Sequence, residues 1–140
     1  MQIHGSCACR SGEGVLLIGP SGAGKSDLVL RLLARGFDLV ADDRVDIADG
    51  MARPVAALAG LLEVRGLGIV RLPHVAAARL VMVAELGDVA VRLPAPTRHE
   101  ALGLPMMRLD GWAASAPERI GLALDCALGR VTQVAGVFAA

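Results

Sequence analysis

Residues 19–26 read Gly19-Pro20-Ser21-Gly22-Ala23-Gly24-Lys25-Ser26 and satisfy the pattern G-x-x-x-x-G-K-[ST] at every fixed position. The pattern has chemical meaning only where a strand ends and a helix begins, and both flanks fit. Val15, Leu16, Leu17 and Ile18 form an apolar run short enough for a strand. After Lys25, Leu28, Val29, Leu32 and Leu33 recur at helical spacing, with Gly36 where a C-terminal cap belongs. In such a loop the glycines let backbone amides turn inward around phosphate oxygens, and the helix N-terminus adds positive potential. Lys25 then reaches the β- and γ-phosphates of a nucleotide such as ATP, and Ser26 offers its hydroxyl to Mg2+. All eight loop residues are candidates for nucleotide contact. The bland reading is a glycine-rich turn that caps a helix. Cation usage argues against it: of fourteen lysines and arginines only Lys25 is a lysine. It stands where a compact ammonium on a flexible stem suits phosphate better than a planar fork.

A second signal follows at the end of the next apolar run. Residues 37–41 read as a short strand that terminates in Asp42-Asp43, similar to the Walker B arrangement in which an acid at a strand end meets Mg2+. Two adjacent acids can divide the labour, one on the metal and the other accepting the proton of an attacking hydroxyl. A solvated turn is the plain alternative. Glu63 and Arg65 fall on one face of a strand over residues 61–65, a pattern that a surface ion pair explains almost as well. His4 is ambiguous alone, since a lone histidine is more often structural than catalytic. Its predicted place raises it: if residues 10–13 form a tight turn between strands 2–8 and 14–19, Cys9 lies opposite Gly14 and His4 opposite Gly19.

Elsewhere, strand-turn-strand patterns outnumber helical ones. Residues 45–47 and 53–55 flank the turn Ala48-Asp49-Gly50, and runs at 61–65 and 67–72 are broken at Gly66 and Gly68. Residues 79–86 and 89–93 read as a hairpin across Gly87-Asp88, followed by a polar loop over 94–103. Ser115 to Glu118 fits a capping box, opening a helix over 116–128 with Gly129 as the stop. The expectation is an α/β fold, a mixed β-sheet around a P-loop with few helices, forming one domain over residues 1–140.

Composition narrows the partners. No apolar run approaches the ~18 residues of a transmembrane helix, and the N-terminus lacks a basic region followed by an apolar core. The reading is therefore a soluble chain in the cytoplasm, without signal or membrane span. A net charge of zero with 2% aromatic residues removes the electrostatic footprint and the stacking platform of nucleic-acid binders. Three cysteines, Cys7, Cys9 and Cys126, with no matching Cys/His pair, read as reduced structural residues.

Ile3-His4-Gly5, the P-loop beginning fifteen residues after His4, Leu39-Val40-Ala41-Asp42-Asp43-Arg44-Val45, and Leu61-Leu62-Glu63-Val64-Arg65-Gly66-Leu67-Gly68-Ile69 follow in order at characteristic spacing. Together they resemble the catalytic, C-terminal domain of bacterial HPr kinase/phosphorylase, over roughly residues 2–72 and in a short form lacking the N-terminal domain. The resemblance implies the P-loop sheet also found in phosphoenolpyruvate carboxykinase. It implies ATP- and Mg2+-dependent phosphorylation of a serine on an HPr-like phosphocarrier, with a reverse activity that uses inorganic phosphate and releases pyrophosphate. It further implies Asp42 as general base, and Asp43 and Glu63 holding Mg2+ with Ser26. His4 would stand beside the transferred phosphate and Arg65 near the site. A phosphate-contacting arginine from the second half would be Arg98, Arg108 or Arg119, and the assembly a homohexamer. Two other classes remain open: a P-loop kinase acting on a small molecule, for which residues 94–109 are the one candidate lid, and a non-catalytic ATP sensor.

Overall fold

In the computed structural model, which describes residues 1–139, the chain enters as strand β1 (Gln2–His4), bends at Gly5, and continues as β2 (Ser6–Arg10) before turning into β3 (Glu13–Ile18). The β2–β3 hairpin has the expected register, Cys9 opposite Gly14. His4, however, does not reach Gly19. β1 swings away and pairs with a later strand, placing His4 opposite Arg44. Gly5 makes the departure possible: a Cβ there would stand 2.6 Å from the Leu17 carbonyl oxygen, so only glycine passes this close to β3. Its freed N–H donates to the Asp43 carbonyl at 3.0 Å.

After the P-loop comes α1 (Lys25–Leu33), which buries Leu28, Val29 and Leu32 and is followed by Gly36 at φ 85°. Then follow β4 (Asp38–Ala41), β5 (Arg44–Ala48) and β6 (Met51–Pro54). β7 (Leu61–Val64) and β8 (Gly68–Arg71) form a separate two-stranded hairpin. β9 (Ala78–Leu86), β10 (Met106–Leu109) and α2 (Ala116–Ala127) complete the chain's regular elements. The main sheet runs β1-β5-β6-β9-β3-β2-β4, with β10 beside β9. The sheet is mixed, as anticipated: β3 and β10 lie parallel to β9, while the other pairings are antiparallel.

The anticipated hairpin partner of β9, residues 89–93, is not a strand; Val89, Val91 and Leu93 are exposed. Both edges of β9 are already occupied. β3 runs along one, and β6 and β10 share the other, so an antiparallel return has no backbone groups to pair with. The capping box at α2 is also absent. Ser115 Oγ accepts from Arg119 Nε at 2.8 Å instead of from a backbone amide, and Glu118 reaches across to pair with Arg35. The helix ends one residue earlier than expected, before Leu128, with Gly129 at φ 73°.

After Glu13, β3 carries no polar side chain, because both of its faces are covered. Val15 and Leu17 point into a core with Leu28, Leu32, Met82, Ile120 and Leu124, while Leu16 joins Cys7, Cys9, Val40, Ile47 and Val83 on the other side. Truncating Leu28 or Ile120, each fully buried, would cost about 2–5 kcal/mol through lost transfer energy and the cavity left behind. Cys7 and Cys9 are free and buried, and desolvation pushes both thiols above their usual range. Among the described residues no helix is long and apolar enough to cross a membrane.

Candidate active site

The P-loop leaves β3 at Gly19 and enters α1 at Lys25, with Gly19, Gly22 and Gly24 at φ 148°, 85° and 95°. These left-handed conformations favour glycine and are what the motif's small residues supply. Lys25 is buried and folds back over its own loop. Its Nζ donates to the Gly19 carbonyl at 2.7 Å and the Pro20 carbonyl at 3.1 Å. Beneath it, Ser26 Oγ lies 2.9 Å from both carboxylate oxygens of Asp42, and Ser6 Oγ donates to Asp42 Oδ1 at 2.7 Å. Two hydroxyls thus hold a carboxylate that is only 6% exposed.

One residue on, the chain turns sharply. Asp43 adopts φ 68°, a left-handed conformation that aspartate tolerates better than most residues. This turn sends the two neighbouring carboxylates apart: Asp42 inward, Asp43 outward, where Oδ1 meets His4 Nε2 at 3.1 Å. Both partners of that pair are more than half exposed. The β1–β5 pairing that displaced His4 from Gly19 is what sets it beside Asp43.

A cavity of about 400 Å³ opens between the loop and the β7–β8 hairpin. Ser21, Gly22, Gly24, Lys25 and Ser26 of the loop line it, together with His4, Asp43, Glu63 and Arg65. Gly19, Pro20 and Ala23 belong to the loop without lining the cavity. Arg65 begins the turn after β7 and does not share its strand face with Glu63, yet both reach the cavity. Asp42, the expected base, is absent from the wall; its oxygens are engaged by Ser6 and Ser26. Arg98, Arg108 and Arg119 are not at the cavity either. They bond the Gly103 carbonyl, Glu85 and Ser115 respectively.

Ser6 and Trp112, both on the wall, had no forewarning. Ser6 is an unremarkable serine until the sheet puts it over Asp42. Trp112 comes from the far end of the chain and covers Gly24; the only hint is that it is the single tryptophan.

The donor set suits a hard divalent cation. Ser26, Asp42, Asp43 and Glu63 present only oxygens, and Mg2+ prefers one or two carboxylates, water and phosphate to an all-protein cage. Among the described residues no cluster of three or more His, Cys, Asp or Glu forms such a cage. Ser26, its hydroxyl bonded to Asp42, and Glu63 line the same cavity and would hold the ion beside a phosphate.

A mixed sheet with an interior strand, β3, that feeds a glycine-rich loop and a buried lysine defines the P-loop class of phosphate-binding proteins. The model of the HPr Serine kinase C-terminal domain matches residues 1–103, and the chain belongs to that family. HPr kinase/phosphorylase of Clostridium novyi (strain NT) is 46% identical over 76 residues, covering 51% of this chain and 25% of that protein. That of Streptococcus gordonii is 44% identical over 97 residues, covering 66% and 31%. The chain therefore spans between a quarter and a third of the length of these relatives. Among solved structures, the Hpr(Ser) kinase/phosphatase from Coxiella burnetii superposes with a TM-score of 0.77 at 21% identity, over 93% of this chain and 92% of that one. The fold anticipated from the sequence is thus the fold found.

Proposed function

We propose that the chain transfers the γ-phosphoryl group of ATP to a serine of an HPr-like phosphocarrier protein. The observation that carries this reading is a cavity lined both by five P-loop residues, Ser21, Gly22, Gly24, Lys25 and Ser26, and by the exposed His4–Asp43 pair. Phosphoryl transfer asks little covalent chemistry of a protein and much positioning and charge stabilisation. The loop amides and Lys25 would hold the phosphates, Lys25 exchanging its two carbonyl partners for phosphate oxygens. Bound Mg2+ would neutralise charge on the phosphates, held by Ser26 and Glu63, with the buried Asp42 orienting the Ser26 hydroxyl from behind. Arg65 supplies positive charge on the cavity wall.

The proton acceptor in this reading is Asp43, not Asp42. A base must reach the hydroxyl it deprotonates. Asp43 is on the cavity wall and solvent-accessible, whereas Asp42 is sealed beneath Ser26. Asp43 would take the serine proton as its oxygen attacks phosphorus and ADP leaves, with His4 fixing the carboxylate's orientation. In the reverse direction the protonated Asp43 would return that proton to the serine oxygen as inorganic phosphate attacks phosphorus, the serine oxygen–phosphorus bond breaks and pyrophosphate forms. The family resemblance extends the proposal to one catalytic unit over residues 1–140, assembled as a homohexamer in the cytoplasm; light scattering tests the assembly. Incubation with γ-labelled ATP, Mg2+ and an HPr-like carrier should yield labelled phosphoserine. Nucleotide binding without transfer would favour an ATP sensor, and transfer to a small acceptor alone would favour a small-molecule kinase.

A further inference from the structure

We propose that Trp112 is a positioning residue that holds the P-loop in its phosphate-accepting conformation. The inference rests on the nucleotide-binding reading and adds a residue beyond the stretch the family model matches, which ends at 103.

An anion-binding loop works only if its amides face inward, which requires its carbonyls to face outward and find partners there. The Pro20 carbonyl accepts from the Ala23 N–H at 3.1 Å, and it and the Gly19 carbonyl also accept from Lys25, which phosphate would draw away. The Gly22 carbonyl is held from outside: Trp112 Nε1 donates to it at 3.1 Å. The indole also lies flat against the loop, since a Cβ on Gly24 would stand 3.1–3.3 Å from three of its ring atoms. Gly111 permits the approach, for a Cβ there would fall 2.7 Å from the Ala23 carbonyl oxygen.

Trp112 is itself held from two directions. Its backbone N–H donates to Asp110 Oδ1 at 3.0 Å. Arg31 on α1 donates through Nη1 to the Ala113 carbonyl at 3.1 Å and through Nη2 to the Gly111 carbonyl. Asp27, one turn earlier, accepts from Arg31 Nε at 2.9 Å and fixes the guanidinium. The helix that begins with the phosphate-binding lysine thus grips the segment that braces the loop preceding it. Trp112 is 56% exposed, so this arrangement is not explained by core burial.

The test is ADP titration by calorimetry of wild type, Trp112→Phe and Trp112→Leu, with ATP steady-state kinetics on the same proteins. Phe keeps a ring over Gly24 and loses the N–H, which should weaken ADP about three- to tenfold. Leu loses both and should weaken it more. KM for ATP should rise in the same order with kcat nearly unchanged, because Trp112 touches the loop and not the reacting hydroxyl. Wild-type tryptophan emission should change on ADP addition. Both variants binding ADP as wild type does would overturn the positioning role alone. Lowered melting temperatures with unchanged KM would overturn it too, leaving Trp112 as packing. Failure of the wild type to bind ADP would overturn the nucleotide reading and this role with it.

Discussion

At the floor of the cavity the polar groups are partnered inside the protein, whereas at the rim they face solvent. Lys25, Ser26, Ser6 and Asp42 bond one another or the loop's own carbonyls. His4 and Asp43 touch each other while more than half exposed, and Glu63 and Arg65 are exposed beside them. In the proposed reading this contrast assigns the adjacent aspartates to two duties. Floor groups shape the site and are tied into stability, because a buried polar atom stripped of its partner costs free energy. Rim groups can change partners when a substrate arrives, so their removal should register in turnover and little in folding.

The largest effect should come from the floor residue that must also meet substrate. Lys25→Ala should abolish ADP binding in calorimetry and phosphoryl transfer in the labelled assay, with an unchanged far-UV circular dichroism spectrum. Transfer at the wild-type rate would break the P-loop assignment itself.

Next come the two aspartates, where the comparison is most exposed to refutation. Asp43→Asn should lower the transfer rate by about 10²–10³-fold, without altering the melting temperature and without rescue by added Mg2+. Asp42→Asn should show the opposite profile. It should lose roughly 1–2 kcal/mol of stability, or about 3–8 °C in melting temperature, with a higher Mg2+ concentration for half-maximal activity. If the two profiles are exchanged, the floor–rim division of labour is wrong and Asp42 is the base.

The smallest effect belongs to a place on neither floor nor rim. Arg130 makes two 2.8 Å bonds to Glu13 and holds its carboxyl below the usual 4.5. A carboxyl depressed in the folded state contributes stability above its unfolded value and loses that contribution as pH falls through the folded one. Arg130→Gln should therefore lower the melting temperature by no more than about 1–2 °C near neutrality. The gap from wild type should close below about pH 4.5, and nucleotide affinity should stay unchanged.

Legibility along the chain followed the range over which each feature is encoded. The P-loop, α1, the Asp49-Gly50 turn and the β7–β8 hairpin are local: a few adjacent residues specify each, and they lie where the pattern put them. The pairing of His4 failed because Gly5 redirects the strand, and a single glycine in an alternating run carries no sign of which partner lies beyond it. Residues 89–93 alternate as a strand should. What excludes them is the prior occupation of both β9 edges by strands distant in sequence. Trp112 and Ser6 escaped for the same reason, since their meaning lies entirely in long-range neighbours. The Asp42/Asp43 distinction hung on one positive φ, which no residue pattern announces.

The central position of β9 also bears on the order in which the molecule can come into being. β3, which carries the nucleotide loop, pairs Glu13 with Arg79 and Ile18 with Glu85. While the chain is being made from its N-terminus, that edge of β3 must wait for more than sixty further residues, and the tryptophan bracing the loop emerges later still. Non-local parallel pairing closes a long loop before any contact rewards it, and such steps are slow. A nascent chain arrested before residue 78 would thus carry the whole loop motif without the strand that steadies it. Competence to hold a nucleotide should arrive late and abruptly during synthesis.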